Sequence, residues 1–270
     1  MAKLFWHAKL YYKIICLNYK SKLKYHGKRE FFHTLGMFLG YASDIFAIGL
    51  SMSLFKFLGG FNIAEVMFLF SFELISYSIA NSIVWFSGDT YNLIVRGQLD
   101  EFMTKPVNPF FLMLARYYEI GYIGQFAISL TLLFISINNM DIHWGILRCL
   151  LYIVTMICSV CIYIGFTTIP SLLAFWFGNT DKLTCVFRWS FKGVIQYPIS
   201  VYPRPVKIIL STILPYGFIN YYPSLILLNK ISVKNSLLIL LLLLFISSVD
   251  IGVIIKLWHT GLRRYESAGG

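Results

Sequence analysis

Five stretches of this chain, residues 32–57, 63–86, 110–136, 146–177 and 235–258, stay apolar for longer than a strand or an ordinary buried helix requires. A helix needs about 20 mostly apolar residues to cross the hydrocarbon of a bilayer, and helices suit that medium because they satisfy their own backbone polar groups where water cannot. A further membrane segment fits somewhere within residues 181–228. Only 13% of the residues are charged, against about a quarter in soluble domains, too few to wrap this much apolar surface in a soluble fold. The expected fold is therefore an all-α polytopic membrane protein with six transmembrane helices.

The net charge of +11 does not point to nucleic acid, because the basic residues lie in the gaps between apolar runs and so read as topology signals. The first thirty residues hold eight Lys and Arg, whereas the gaps 59–62 and 137–144 hold none. Positive residues stay cytoplasmic, which puts the N-terminus inside, those two loops outside, and an even number of spans before a cytoplasmic tail at 261–270. Residues 1–30 lack the continuous apolar core and small-residue cleavage site of a signal peptide. On a helical wheel Leu4, Ala8, Tyr11, Ile15 and Tyr19 form one stripe, with Lys9, Lys13, Lys20 and Lys24 on a neighbouring arc. That pattern fits an amphipathic helix lying on the inner leaflet, its lysines toward anionic lipid. Gly36 and Gly40 add a GxxxG pair to the first span, a common motif of close helix contact.

The most polar internal stretch is SGDTYNLIVRGQLDEFMTKPVNPFF, residues 87–111. Ser87 suits an N-cap, Asp89 the positive end of a helix dipole, and Gly97 a left-handed stop after Arg96. One short capped helix over 88–96 is expected, on the cytoplasmic side. Pro106 and Pro109 then break the chain, with Asn108 able to cap the next helix.

This stretch resembles a known family. The run Arg96-Gly97-Gln98-Leu99-Asp100, followed by Lys105-Pro106-Val107-Asn108-Pro109, is similar to the signature of a bacterial type-2 ABC transporter permease subfamily. So are the block LLAFWF at 172–177, the proline-marked block at 197–228 and the terminal GLRRYESAGG. The resemblance implies a single permease domain over 31–260 that pairs with a second permease subunit and sits on an ABC ATPase dimer in a bacterial plasma membrane. It implies that the loop 87–109 carries a coupling helix, with Asp89, Tyr91, Asn92, Arg96, Gly97 and Asp100 meeting the ATPase. The chain has no G-x-x-x-x-G-K-[ST] loop, so ATP and Mg belong to the partner, and no cofactor is expected on this chain. Hydropathy alone makes 206–228 the fifth span. The family pattern instead places that span near 181–200 and folds 201–228 into a re-entrant hairpin on the outer face, which suits Pro203, Pro205, Pro215 and Pro223.

Asp44 and Glu73 fall near the middle of the first and second spans, where a carboxylate costs on the order of 3 kcal/mol. If 181–200 is a span, Arg188 and Lys192 share one face at i, i+4 and are candidate partners. The cluster then lines the translocation path, forms a fixed ion pair between helices, or keeps its carboxyls protonated. Arg116 and Glu119, at i, i+3, are expected to pair locally; Glu65 should be hydrated near the outer surface; Asp250 has no evident partner. Cys158 and Cys161 form a C-x-x-C inside an apolar run without a second ligand pair, which reads as helix packing rather than metal or redox chemistry. There is no H-E-x-x-H and no G-x-S-x-G elbow, so an intramembrane enzyme is disfavoured. The expected function is export of an amphipathic or hydrophobic substrate driven by a separate ATPase. The alternative is a secondary transporter or channel without an ATPase, whose usual duplicated halves are absent here.

Overall fold

The computed structural model describes residues 2–54 and 57–266, and every regular element among them is helical. Helix α1 (Ala2–Leu54) runs for 53 residues without a break, so the expected interfacial helix and first span are one rod. No proline interrupts it, and its glycines, Gly27, Gly36, Gly40 and Gly49, each cost a helix only about 1 kcal/mol. Tyr11 and Ile15 of the expected stripe turn partly inward and Lys9, Lys13, Lys20 and Lys24 are exposed, but Tyr19 of the same stripe is exposed as well. The side chains of Leu4 and Ala8, the span end at Phe55 and Lys56, and the last four residues of the tail lie outside the described residues. A Cβ on Gly36 or Gly40 would meet nothing within 4 Å, so that pair brings no helix of this chain close.

Helix α2 (Ile63–Ile83) starts on a reciprocal cap in which the Asn62 side chain accepts from the Glu65 N–H and the Glu65 carboxylate accepts from the Asn62 N–H. It is the central helix, with Val66, Phe68, Leu69, Phe72 and Leu74 wholly buried. A 3₁₀ turn (Trp85–Gly88) leads into the short helices α3 (Thr90–Val95) and α4 (Gln98–Met103), then α5 (Pro109–Arg116). The third apolar run is not one helix. It breaks at Tyr117–Glu119 and resumes through a 3₁₀ turn (Ile120–Tyr122) into α6 (Ile123–Asn138). Glu119 is extended there, its N–H donating to Ser82 O and its carboxylate accepting from the Gly121 N–H.

The fourth run is α7 (Ile146–Leu172) and a last turn, α8 (Ala174–Phe177), matching the expected boundaries. Residues 181–195 follow as α9 (Asp181–Cys185), a π turn (Val186–Ser190) and α10 (Phe191–Ile195). Residues 206–228 do not form a straight rod. They fold into α11 (Arg204–Ser211) and α12 (Tyr221–Leu227) around a proline-bearing turn, so the hydropathy-only placement of a span there is set aside. Helix α13 (Val233–Arg264) closes the chain.

Among the described residues, four helical stretches are long and apolar enough to cross a membrane: Ile63–Ile83, Ile120–Asn138, Ile146–Phe177 and Val233–Arg264. The main apolar core runs through the bundle, and a second, smaller cluster marks one end. The smaller one gathers Phe86, Leu93, Leu99, Phe102, Met113 and Trp258 beneath the polar loop. At the opposite end Ser136 Oγ donates to Ala64 O, Ser200 Oγ to Gly59 O and Lys230 Nζ to Gly60 O. The α11–α12 hairpin thus sits at the end away from the polar loop.

Candidate functional site: a polar loop tied to an internal charge pair

The loop differs from the single capped helix expected. Ser87 is not an N-cap; it lies buried in the 3₁₀ turn, its hydroxyl donating to Val84 O. Asp89 stands at the N-cap position of α3 but accepts from the Asn92 side chain instead of capping the helix. Tyr91 and Asn92 are half-buried, while Asp89 and Arg96 are exposed. Gly97 is left-handed, φ +65°, as expected for a stop, yet the chain turns straight into α4, with Asp100 in its first turn. The result is a helix–hinge–helix anchored from below by Leu93, Leu99 and Phe102. Asn108 does cap α5, accepting from the N–H groups of Phe110 and Phe111.

The ion pairs around this loop also depart from expectation. Because α5 ends at Arg116, Arg116 and Glu119 never share a helix face. Arg116 pairs instead with Glu101 at 2.8 Å, and Glu119 with Lys22 of α1 at 2.8 Å. Lys105 also reaches Glu101, at 3.2 Å. The Lys105 hydrogen bond, aided by the Arg116 charge, holds the Glu101 carboxyl below its ordinary range. At the far end Glu65 is not free in water: it pairs with Lys230 at 2.9 Å.

Within the bundle, the structure brings together part of the predicted charge cluster. Lys192 Nζ lies 3.6 Å from Asp44 Oδ2, and Gln196 Nε2 donates to the same oxygen at 3.2 Å. The ammonium also sits over the rings of Tyr41 (3.9 Å to the centroid) and Tyr77 (5.0 Å), contacts that favour a cation in a site short of water. Glu73 is wholly buried and makes no ion pair at contact distance; its Oε1 accepts from Tyr163 OH at 3.4 Å, and its Oε2 has no partner.

Arg188 does not join the acids. Its Nη2 donates to Val84 O and to Ser87 Oγ, and its guanidinium lies 5.2 Å from the Trp85 ring. Arg188 stands within the π turn and reaches the Trp85–Gly88 turn, while Lys192 reaches α1. One segment, 181–196, therefore grips the start of the polar loop at one point and the α1 carboxylate at another.

Gln196 was not singled out from sequence, although its place four residues after Lys192 was a usable signal. Tyr41, Tyr77 and Tyr163 carried none, since aromatics are common in any helical core. Asp250 packs against Gly165, where a Cβ would come within 2.8 Å of its carboxyl carbon. Cys158 and Cys161 are free thiols, and no group of three His, Cys, Asp or Glu among the described residues is arranged to hold a metal ion.

An all-helical bundle with four crossing-length apolar helices defines a multi-pass membrane protein. More narrowly, the chain belongs to the ABC-2 family transporter proteins, whose family pattern it matches over residues 38–269. It is a membrane permease of that transporter class, not itself an enzyme. No curated protein and no solved structure gave a match.

Proposed function

We propose that this chain is the permease subunit of an ATP-driven exporter in a bacterial plasma membrane, moving an amphipathic or hydrophobic substrate outward. It works with an ABC ATPase dimer, which carries ATP and Mg, and with a second permease subunit. Six segments cross the membrane in this reading: the second half of α1, α2, α6, α7, the segment 181–200 and α13. The lysine-bearing half of α1 faces inner-leaflet headgroups, the α11–α12 hairpin re-enters from the outer face, and both termini are cytoplasmic.

The observation that carries this reading is the grip of Arg188 on Val84 and Ser87. Motion imposed on α3 and α4 by a closing ATPase passes through that grip into 181–195, and from Lys192 to Asp44 on α1. A rigid-body shift of this kind is how packed helices transmit switching. Asp89, Tyr91, Asn92, Arg96, Gly97 and Asp100 form the face offered to the ATPase. Two experiments test the reading. Purification of the full-length chain from its native membrane should bring down an ABC ATPase; its consistent absence rejects the proposal. Arg96→Glu and Gly97→Val should leave the complex assembled and its ATP hydrolysis within about twofold, while export falls at least about tenfold, a coupling loss of ~1.4 kcal/mol. Export that tracks hydrolysis in both variants removes this loop from the coupling path.

A further inference from the structure

Beside the polar loop, and separate from the Lys192–Asp44 pair, a cavity of about 550 Å³ opens between the Trp85–Gly88 turn and α9. Ligand pockets commonly have roughly 300–1,000 Å³. Two of the side chains lining it, Thr184 and Arg188, are 2% and 3% exposed and have unmet hydrogen-bonding capacity: neither Thr184 Oγ1 nor Arg188 Nε has a partner. The two acceptors that Arg188 does have, Val84 O and Ser87 Oγ, are neutral. Among the described residues no carboxylate stands within ion-pair distance of it. A guanidinium remains charged in a protein, and a buried charge without a counter-charge is strongly disfavoured. Arg188 therefore offers an anion a counter-charge at the inner wall of the cavity.

Its other walls narrow the choice. Asp89 and Asp181 also line it, and two carboxylates would repel a purely anionic occupant such as free phosphate or an acidic peptide. They favour a ligand that carries a cation as well. Trp85 and Trp189 line the same space, the residue type that settles at the junction of hydrocarbon and headgroup.

We propose that this cavity binds the zwitterionic headgroup of a membrane phospholipid, with its phosphate on Arg188 and Thr184, its ammonium against Asp89 and Asp181, and its upper hydrocarbon against the two tryptophans. The proposal rests on the reading above only in taking this end of the bundle as the inner face. A bound lipid here would touch both sides of the Arg188 grip, so the composition of the inner leaflet would set how firmly 181–195 holds the loop.

The test is native mass spectrometry of the full-length chain released from nanodiscs containing equal amounts of phosphatidylethanolamine and phosphatidylglycerol. The wild type should retain phosphatidylethanolamine over phosphatidylglycerol by about fivefold, the upper range for one partly exposed ion pair. Asp89→Asn combined with Asp181→Asn should abolish that preference, Arg188→Gln should lower retention of both lipids, and Arg188→Lys should restore much of it. The double Asn variant alters no buried charge, so it keeps the test decisive should Arg188→Gln fail to accumulate. Equal retention in wild type and variants, meaning annular lipid only, overturns the proposal. So does displacement by millimolar inorganic phosphate as effective as by phosphatidylethanolamine, which would mark a plain anion site. Because the readout involves no nucleotide, lipid selectivity without a co-purifying ATPase would reject the exporter reading and leave the lipid site standing.

Discussion

Lys192 makes two kinds of contact, with the Asp44 carboxylate and with the faces of Tyr41 and Tyr77. Losing the carboxylate leaves a nearly buried ammonium with aromatic contacts alone. Asp44→Asn should therefore destabilise the chain by about 1–3 kcal/mol, the range for stranding one member of a partly buried pair. Lys192→Met added to Asp44→Asn should recover most of that loss, because the stranded charge goes with it. Thermal unfolding of the four forms in detergent reads the coupling, and strictly additive losses would show that the pair does not interact. Exporting cells carrying Asp44→Lys with Lys192→Asp test the same pair in function. Glu101 makes a smaller, surface prediction. Its folded carboxyl is depressed, first by Lys105 and then by Arg116, so its pairing contributes fully above the ordinary Glu pKa of about 4.3 and fades as the pH falls through the lower folded value. The protection factors of α4 amides, exchange rates corrected for the intrinsic pH dependence, should fall below about pH 4.3 in the wild type, and Glu101→Gln should flatten that dependence.

Helix α1 is fastened to the loop end by few residues. Asn18 Nδ2 donates to Arg116 O at 3.0 Å, Lys22 pairs with Glu119, and Tyr11 packs against Phe111 and Tyr118. The Glu119 side chain is only 7% exposed, so Lys22→Ala leaves a largely buried carboxylate without its cation and should cost about 1–3 kcal/mol. The expected signature is local: limited proteolysis should cut residues 2–30 faster while the rest of the bundle resists. Uniform protection would mean that lipid, not Glu119, holds this half of α1. These contacts also mark where sequence reading ends. The apolar runs placed α2, α7 and α13 to within a few residues at most ends, although α13 runs six residues beyond the expected 258, because length and hydropathy are properties of one segment. Gly97 and Asn108 were legible for a similar reason, since a left-handed stop and a helix cap are local chemistry. The break at Tyr117–Glu119 was not legible, because it depends on Ser82 and Lys22 waiting on other helices. The π turn escaped notice likewise, for residues 186–190 carry no glycine or proline to mark it.

Across the whole molecule, the two ends are chemically different. One gathers the polar loop, its helices and the lower half of α1; the other gathers the reciprocal cap of α2, the Glu65–Lys230 pair and the α11–α12 hairpin. In a background lacking the native cysteines, Asn139→Cys should react with an impermeant maleimide in intact cells, whereas Glu101→Cys should react only after permeabilisation. The reverse pattern would invert the chain in the membrane and remove the loop from any cytoplasmic ATPase. Much of α13 remains exposed and apolar, including Leu237, Leu238, Leu241 and Phe245, a surface that suits lipid or a neighbouring subunit.

The unbroken course of α1 has a mechanical consequence. At a rise of 1.5 Å per residue its 53 residues extend about 80 Å, nearly twice the roughly 40–45 Å of a whole bilayer. Pivoted near Asp44, such a lever magnifies: a tilt of a few degrees at the Lys192 fulcrum sweeps its lysine-studded arm through about 3 Å or more, by the same helical rise. Local side-chain rearrangement at one partly buried pair would then be legible as displacement far outside the hydrocarbon.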